Sequence, residues 1–227
     1  MCSQGISLLF KMDIKEAIKN RRSIRRYLPK KVEKKDNLEI MEIAMWSPSA
    51  CNRQAHRVIY IENDLTKRKL VDCGAAPFIK DVPALLLFLY DNIGDNITYR
   101  DDIQSSSAFI ENFLLLAFEK GISACWVCQL PSKRKIRKLF NIPRGISPIA
   151  AVSIGYSDKK PVIVPRKHKL EEIFYDEKLP NGIKISGINS NLYIKRVLRI
   201  CYYLLPVFIQ KSINSFIDKH FVKKFKN

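Results

Sequence analysis

Four arginines and a serine stand within six residues near the start of the chain, in the segment RRSIRRY, residues 21–27. A guanidinium is a planar fork that can hold two phosphate oxygens at once, and a serine hydroxyl adds a neutral donor. The segment therefore suits a phosphomonoester. The same residues would also serve as a solvated basic surface or as a nucleic-acid contact, and composition alone favours that plainer interpretation.

A second group of polar side chains follows in the segment SPSACNRQ, residues 47–54. Pro48 stiffens the segment, and the amides of Asn52 and Gln54 can match the alternating donors and acceptors at the edge of a flavin ring. A plain polar turn is the alternative interpretation of the same residues.

A third group is the segment GISACWVCQ, residues 121–129. Trp126 can cover a planar cofactor or pack in the core, which is the commoner fate of an aromatic side chain. Cys125 and Cys128 form one CxxC pair, but zinc needs four ligands and the three histidines are scattered, so we expect no metal site. Because the pair lies in an expected strand, it also lacks the helix start that lowers a thiol pKa in dithiol proteins.

The fourth group is Gly155–Tyr156 followed by Pro165–Arg166–Lys167. Here a strand ends and a loop carries a cation back towards the core. Arg166 either completes a phosphate site or is an ordinary surface charge.

Hydrophobic periodicity predicts the elements that must position these groups. Residues 84–89 show no alternation, which indicates a central strand buried on both faces, and apolar residues nearly encircle the long helix predicted over 103–120. The strands have no strict βαβ rhythm and no GxGxxG is present, so we predict an α+β sandwich with helices packed on a mixed central sheet. Further helices are predicted at 13–20, 34–45, 65–73 and 132–140, and further strands at 57–62, 122–129 and 149–156.

Composition limits the class of protein. The chain has 227 residues, 47% of them hydrophobic, and a formal charge of +18, which favours anionic partners. Its six cysteines are scattered and no export signal is evident, so we expect a reducing cytoplasm. Met12 precedes an acidic helix start, which leaves Met1 or Met12 as the point where translation begins.

The C-terminal residues form the densest basic zone, with eight Lys or Arg and one acid between 186 and 227. Residues 191–221 follow the pattern of one or two amphipathic helices interrupted near Pro206, and the apolar run is too short to span a membrane. Such a tail either lies on an anionic membrane surface or packs against the rest of the protein, and the sequence favours neither.

Taken in order, RRSxR, SPSxxNxQ, GISACWVCQL and GY…PRK resemble the nitroreductase-like FMN family over about residues 12–178. The resemblance implies a homodimer with FMN at the subunit interface, which takes a hydride from NADH or NADPH and passes electrons in a ping-pong cycle to a small oxidised acceptor such as a nitroaromatic or a quinone. It implies no catalytic side chain. The cofactor-binding residues that it implies are Arg21, Arg22, Ser23, Arg25, Pro48, Ser49, Asn52, Gln54, Trp126, Val127, Cys128, Gln129 and Arg166.

The sequence departs from the family pattern at two places. Many members continue the loop as NxQPW, whereas this chain has Ala55 and His56 where the Pro and the aromatic would stand. Cys128 and Gln129 replace a more usual acidic or small pair. Both changes bear on the acceptor pocket rather than on the phosphate site.

We therefore predict an FMN-binding domain over residues 12–180 and a basic amphipathic extension over 181–227. Two other classes stay open: a divergent flavin-fold protein without reductase activity, and a nucleic-acid-binding protein. The second is disfavoured because no recognition motif that interleaves aromatic and basic residues is present.

Overall fold

The computed structural model of the chain describes residues 12–91, 96, 98–159, 164–181, 191–206, 208–210 and 212–213. In the last helix it does not describe the side chains of residues 191–193, 195, 196, 199 and 203. The residues between the two candidate start positions, 1–11, and residues 214–221 of the predicted tail helices lie outside the described residues.

The predicted elements between residues 13 and 156 are all present, with ends that differ from the prediction by three residues or fewer. Helices α1 to α6 span Ile14–Asn20, Lys34–Ala44, Asp64–Asp72, Asp101–Glu119, Lys133–Phe140 and Asn191–Leu204. Strands β1 to β4 span His56–Ile61, Ala84–Asp91, Ser123–Val127 and Ile146–Gly155. Short 3-10 turns occupy Ala50–Asn52, Pro77–Asp81 and Leu170–Glu172.

The four strands form one sheet in the order β1-β2-β4-β3, and all three strand pairs are antiparallel. A parallel component comes from Ser23, which forms an isolated bridge with Ala124 in β3. The sheet is mixed at that edge.

Helices cover both faces of the sheet. On one face, Phe88 of β2 packs with Phe109 and Phe113 of α4; on the other, Leu87 shares a core with Leu70 of α3 and Ile136 of α5. Because β2 is interior and covered on both sides, its first seven residues are all buried, as the missing alternation predicted. The α+β sandwich expected from the sequence is confirmed.

His56 begins β1 and takes the place of an aromatic residue in the core. Its ring lies 5.1 Å from the Tyr90 ring and 4.7 Å from the Phe109 ring, measured between centroids. Neither ring nitrogen has a hydrogen-bond partner among the described residues. Burial lowers the pKa of His56 below its ordinary value, because a charged imidazole there would be poorly solvated.

This burial predicts a loss of stability in mild acid. Above the ordinary histidine pKa of about 6.5, His56 is neutral in both the folded and the unfolded protein. Below that pH the unfolded chain takes up a proton before the folded protein does. The free energy of unfolding therefore falls as the pH falls, until the lowered pKa of His56 in the folded protein is reached. The slope for one group cannot exceed about 1.4 kcal/mol per pH unit. Urea unfolding from neutral to mildly acidic pH measures it, with His56→Phe as the control. Parallel pH curves for the two proteins would contradict the prediction.

The chain divides into two compact units, residues 1–161 and residues 162–227. The first contains the sandwich, and the second contains the turn at Leu170–Glu172 and helix α6. The predicted domain boundary at residue 180 falls inside the second unit and stays a prediction. Among the described residues, none of the helices has the length and apolar character needed to cross a membrane.

Candidate functional site

The arginine-rich segment runs along the outer edge of β3. Helix α1 ends when the Arg21 N–H donates to the Ala17 carbonyl, and the chain then becomes extended. The Ile24 N–H donates to the Ala124 carbonyl at 3.1 Å, and the Leu28 N–H donates to the Tyr156 carbonyl at 2.8 Å. Backbone hydrogen bonds therefore hold the first sequence group next to the third, and hold Leu28, which follows the first group, next to Tyr156.

Tyr27 fastens this segment to the sheet. Its hydroxyl donates to the Ile24 carbonyl at 2.6 Å and lies 2.7 Å from the Ser153 hydroxyl in β4. Burial raises the pKa of Tyr27 well above its usual value, so the hydroxyl stays protonated as a donor. Sequence reasoning missed Tyr27 and Ser153 as positioning residues, because they are 126 positions apart in the chain.

Gly155 makes the approach of Tyr27 possible. A Cβ atom at this position would lie 2.7 Å from Cδ1 of Tyr27 and 2.8 Å from Cγ of Pro83. Both distances are shorter than carbon atoms tolerate, so the Gly–Tyr pair noted in the sequence has a steric reason.

We therefore expect Gly155→Ala to lower the free energy of unfolding by about 1–3 kcal/mol, the usual cost of overfilling a packed site. Urea unfolding measures this, and Tyr27→Phe is the comparison, because it keeps the ring and removes only the hydroxyl. An alanine variant as stable as the parent would contradict the close approach.

The side chains of the arginine-rich segment divide into two groups. Arg22 turns back, and its Nη1 donates to the carbonyls of Lys19 and Arg21 at 2.6 and 2.7 Å, near the end of α1. Arg21, Ser23 and Arg25 instead lie near enough to the Cys125 thiol to influence its pKa. Burial raises the pKa of that thiol, while the charge of Arg25, a hydrogen bond from Ser23 and the charge of Arg21 act in the opposite direction.

Arg21 is held across to helix α4. Its Nη2 lies 3.4 Å from Oε1 of Glu111, and its Nε is buried without a hydrogen-bond partner among the described residues. A buried guanidinium nitrogen that lacks an acceptor carries a desolvation cost, which an anion would offset. Arg21, Ser23 and Arg25 lie along the edge of β3, and their part in a phosphate site stays a prediction.

The loop after α2 has a strained and internally bonded backbone. Cys51, Asn52 and Gln54 all have positive φ, near 50°, which non-glycine residues seldom adopt. The Gln54 side-chain amide donates to Oδ1 of Asn52 at 2.7 Å, and the Gln54 N–H donates to the Ser49 hydroxyl at 3.1 Å. Such strain is found more often at functional sites than elsewhere.

This loop is fixed to α4 by the Ala50 N–H, which donates to the Ser105 hydroxyl at 3.1 Å. The predicted ligands Pro48, Ser49, Asn52 and Gln54 therefore form one ordered turn rather than independent side chains. Their contact with a flavin ring stays a prediction.

Strand β3 ends at Val127, two residues earlier than the predicted strand over 122–129. Trp126 is partly buried against the α4 face, whereas the Val127 side chain is buried in the core on the opposite face. A flavin contact from Val127 would therefore come from its backbone. Cys128 is exposed just beyond the strand, and the Gln129 carbonyl accepts a hydrogen bond from the Ala76 N–H.

Arg166 belongs to the second unit, where its side chain is exposed. Its predicted part in the phosphate site stays a prediction. No group of three or more His, Cys, Asp or Glu side chains in the described part of the chain is placed to hold a metal ion.

Solved structures share this architecture. A nitroreductase family protein from Clostridium difficile 630 is 28% identical, with a TM-score of 0.63 over 74% of this chain and 100% of its own. A second C. difficile protein, from strain R20291 and titled an FMN-dependent nitroreductase, has a TM-score of 0.63 over 73% of this chain and 99% of its own, at 23% identity. The sandwich is therefore the nitroreductase fold.

Sequence comparison gives the family directly. The Nitroreductase family matches residues 18–73 and 67–156. A protein of Methanothermobacter thermautotrophicus, named for NADH dehydrogenase and NAD(P)H nitroreductase, is 31% identical over 155 residues, which cover 66% of this chain and 81% of that protein. The chain belongs to the nitroreductase family, and its relatives support an oxidoreductase.

Proposed function

We propose that the protein is an FMN-dependent NAD(P)H oxidoreductase that reduces a small oxidised acceptor, such as a nitroaromatic or a quinone. The observation that carries this proposal is the position of the arginine-rich segment, paired through Ser23 and Ile24 with the edge of β3, in a chain of the nitroreductase family. One relative is named for NAD(P)H nitroreductase and one solved structure of the same fold is titled FMN-dependent.

The residues fit the phosphate end of FMN. A phosphomonoester carries between one and two negative charges at neutral pH and offers several acceptor oxygens, which charged donors hold most strongly. Arg21 and Arg25 supply charged donors, Ser23 supplies a neutral one, and the buried Arg21 Nε has an N–H to which no described residue offers an acceptor. Backbone carbonyls at the end of α1 hold the Arg22 side chain. We propose that Arg22 supports the phosphate site and still makes its predicted contact with FMN.

The remaining predicted residues are proposed to frame the ring. Asn52 and Gln54 offer amide groups from the strained loop, while Trp126, Cys128 and Gln129 lie on or just after β3. When bound, FMN supplies the hydride chemistry itself. The chain binds and orients the nicotinamide and the acceptor in turn, which gives a ping-pong cycle without a catalytic acid or base.

A visible spectrum tests this proposal. We expect the purified protein to be yellow, to bleach without oxygen when NADH or NADPH is added, and to regain its colour when a nitroaromatic or a quinone follows. A colourless protein that takes up no added FMN would contradict the proposal. A yellow protein that neither nicotinamide bleaches would instead support the divergent flavin-fold alternative.

We also propose that the protein acts as a homodimer. The outer surface of α1 and α2 exposes large apolar side chains beside an open groove of about 510 Å³. The exposed residues are Ile14, Ile18, Leu38, Ile43, Met45 and Trp46. Contiguous apolar surface of this kind marks a protein interface, and a second copy would cover it. The loop that carries Pro48 and Asn52 begins directly after Trp46, so the same interface would place it at the flavin.

We place the reductase in the cytoplasm, where scattered thiols stay reduced. The described cysteines, five of the six in the chain, are free thiols. A cytoplasmic reductase can meet either dissolved acceptors or those held in a membrane. Which kind of acceptor the protein meets depends on whether its C-terminal extension holds it at a membrane.

A further inference from the structure

Helix α6 of the second unit, Asn191–Leu204, is amphipathic. Five apolar residues recur at intervals of three or four positions and fall within an arc of about 120° on a helix of 3.6 residues per turn. They are Ile194, Val197, Leu198, Cys201 and Leu204, while the exposed Ile200 borders this arc and Leu192 lies outside it. The basic positions of the same helix, 195, 196 and 199, fall on the opposite side of the helix axis.

The apolar face of α6 is uncovered. Ile194, Val197, Leu198 and Leu204 are 55%, 57%, 61% and 79% exposed, and Cys201 is exposed as well. Four large apolar side chains on one helical face indicate an interaction surface rather than a scatter of single exposed residues.

The extension is additional to the family fold. The family match ends at residue 156, and the whole chain of the C. difficile 630 relative corresponds to 74% of this one. That relative therefore completes the sandwich without a counterpart of this length. A role in the common fold does not account for the apolar face.

Charge indicates what covers it. Residues 186–227 carry eight Lys or Arg and one acid, so the occupant must be anionic as well as apolar. A lipid surface with acidic headgroups offers negative charge and, within the depth to which one helix inserts, an apolar layer. At 14 residues, α6 is shorter than the roughly 20 residues that a membrane span requires.

We propose that α6 lies in the plane of an anionic lipid surface, with Ile194, Val197, Leu198 and Leu204 at the acyl boundary. The contact makes the protein a peripheral membrane protein. It concerns the second unit alone and does not depend on the flavin chemistry proposed for the first.

Co-sedimentation of the full-length protein with vesicles tests the proposal. We expect binding to phosphatidylcholine vesicles that contain phosphatidylglycerol, little binding to phosphatidylcholine alone, and weaker binding at high salt. The triple variant Val197→Ser/Leu198→Ser/Leu204→Ser is expected to partition more weakly by about tenfold or more, because it removes apolar area and keeps every charge. The matched control is Leu65→Ser, which alters an equally exposed apolar residue on α3 and leaves binding unchanged.

Two results would overturn the proposal: equal binding to both kinds of vesicle, or unchanged binding by the triple variant. Unchanged binding together with an altered oligomeric state would assign the apolar face to a second copy. Circular dichroism and flavin absorbance of each variant show whether the first unit is still folded, so a folding defect is not mistaken for a lost lipid contact.

Discussion

The double variant Arg21→Ala/Arg25→Ala is expected to be folded and to purify almost without flavin. Each charged hydrogen bond to a phosphate is worth about 1.5–3 kcal/mol, so two of them weaken binding by about 10²- to 10⁴-fold in Kd. Titration of the apoprotein with FMN, followed by flavin fluorescence, measures the change. Full flavin occupancy in the double variant would contradict the phosphate site.

Two controls separate the loss of a ligand from other effects. Arg134→Ala/Lys138→Ala removes the same two charges from the exposed surface of α5, so it should retain flavin if the effect is local. Glu111→Gln breaks the 3.4 Å ion pair to Arg21 but keeps the guanidinium, so it should bind FMN far better than the double variant. Similar flavin loss in all three variants would mean that flavin binding depends on the overall charge of the protein or on its folding, and not on Arg21 and Arg25 in particular.

The variant Trp46→Lys is expected to be monomeric and deficient in flavin. Trp46 is 88% exposed, the largest exposed fraction among the large apolar residues described. Tryptophans at the centre of an interface commonly contribute 2 kcal/mol or more, and a lysine there adds a charge that must be desolvated. Dimer dissociation should therefore become easier by about 30-fold or more. Light scattering after size-exclusion chromatography gives the mass, and the flavin-to-protein absorbance ratio gives the occupancy.

Leu65→Lys is the matched control for that experiment. Leu65 is 66% exposed and lies on α3, on the opposite face of the sheet from α2 and α4. It should remain dimeric and yellow. A Trp46→Lys variant with the mass and the flavin content of the parent would remove the proposed interface.

The sequence predicted the sandwich well because its central elements carry long, unmixed patterns. β2 is apolar at nearly every position, and the eight buried residues of the 19 in α4 recur at helical spacing, so the period and the length of the two patterns leave little ambiguity. The end of β3 was wrong by two residues. Cys128 and Gln129 continue the strand-like composition of the segment but do not pair with β4. Composition is least informative at the ends of secondary-structure elements.

The candidate site was only partly predictable for a different reason. Order and spacing indicated Arg21, Ser23 and Arg25, but a run of arginines does not say which way each side chain turns. In the extended segment after α1, successive side chains point to opposite sides. Arg22 therefore points away from Arg21 and Ser23 and towards the carbonyls at the end of α1. The anchor formed by Tyr27, Ser153 and Gly155 depends on tertiary packing, which local sequence patterns do not contain.

The position of the arginine-rich segment also has a consequence for solubility. β3 is an outermost strand, and an open strand edge is a template on which another polypeptide can add its own backbone. Ser23 and Ile24 occupy part of that edge by pairing with Ala124. The segment that would hold the cofactor thereby also blocks edge-to-edge aggregation. Because the chain's own backbone makes this pairing, we expect the flavin-free protein to remain soluble.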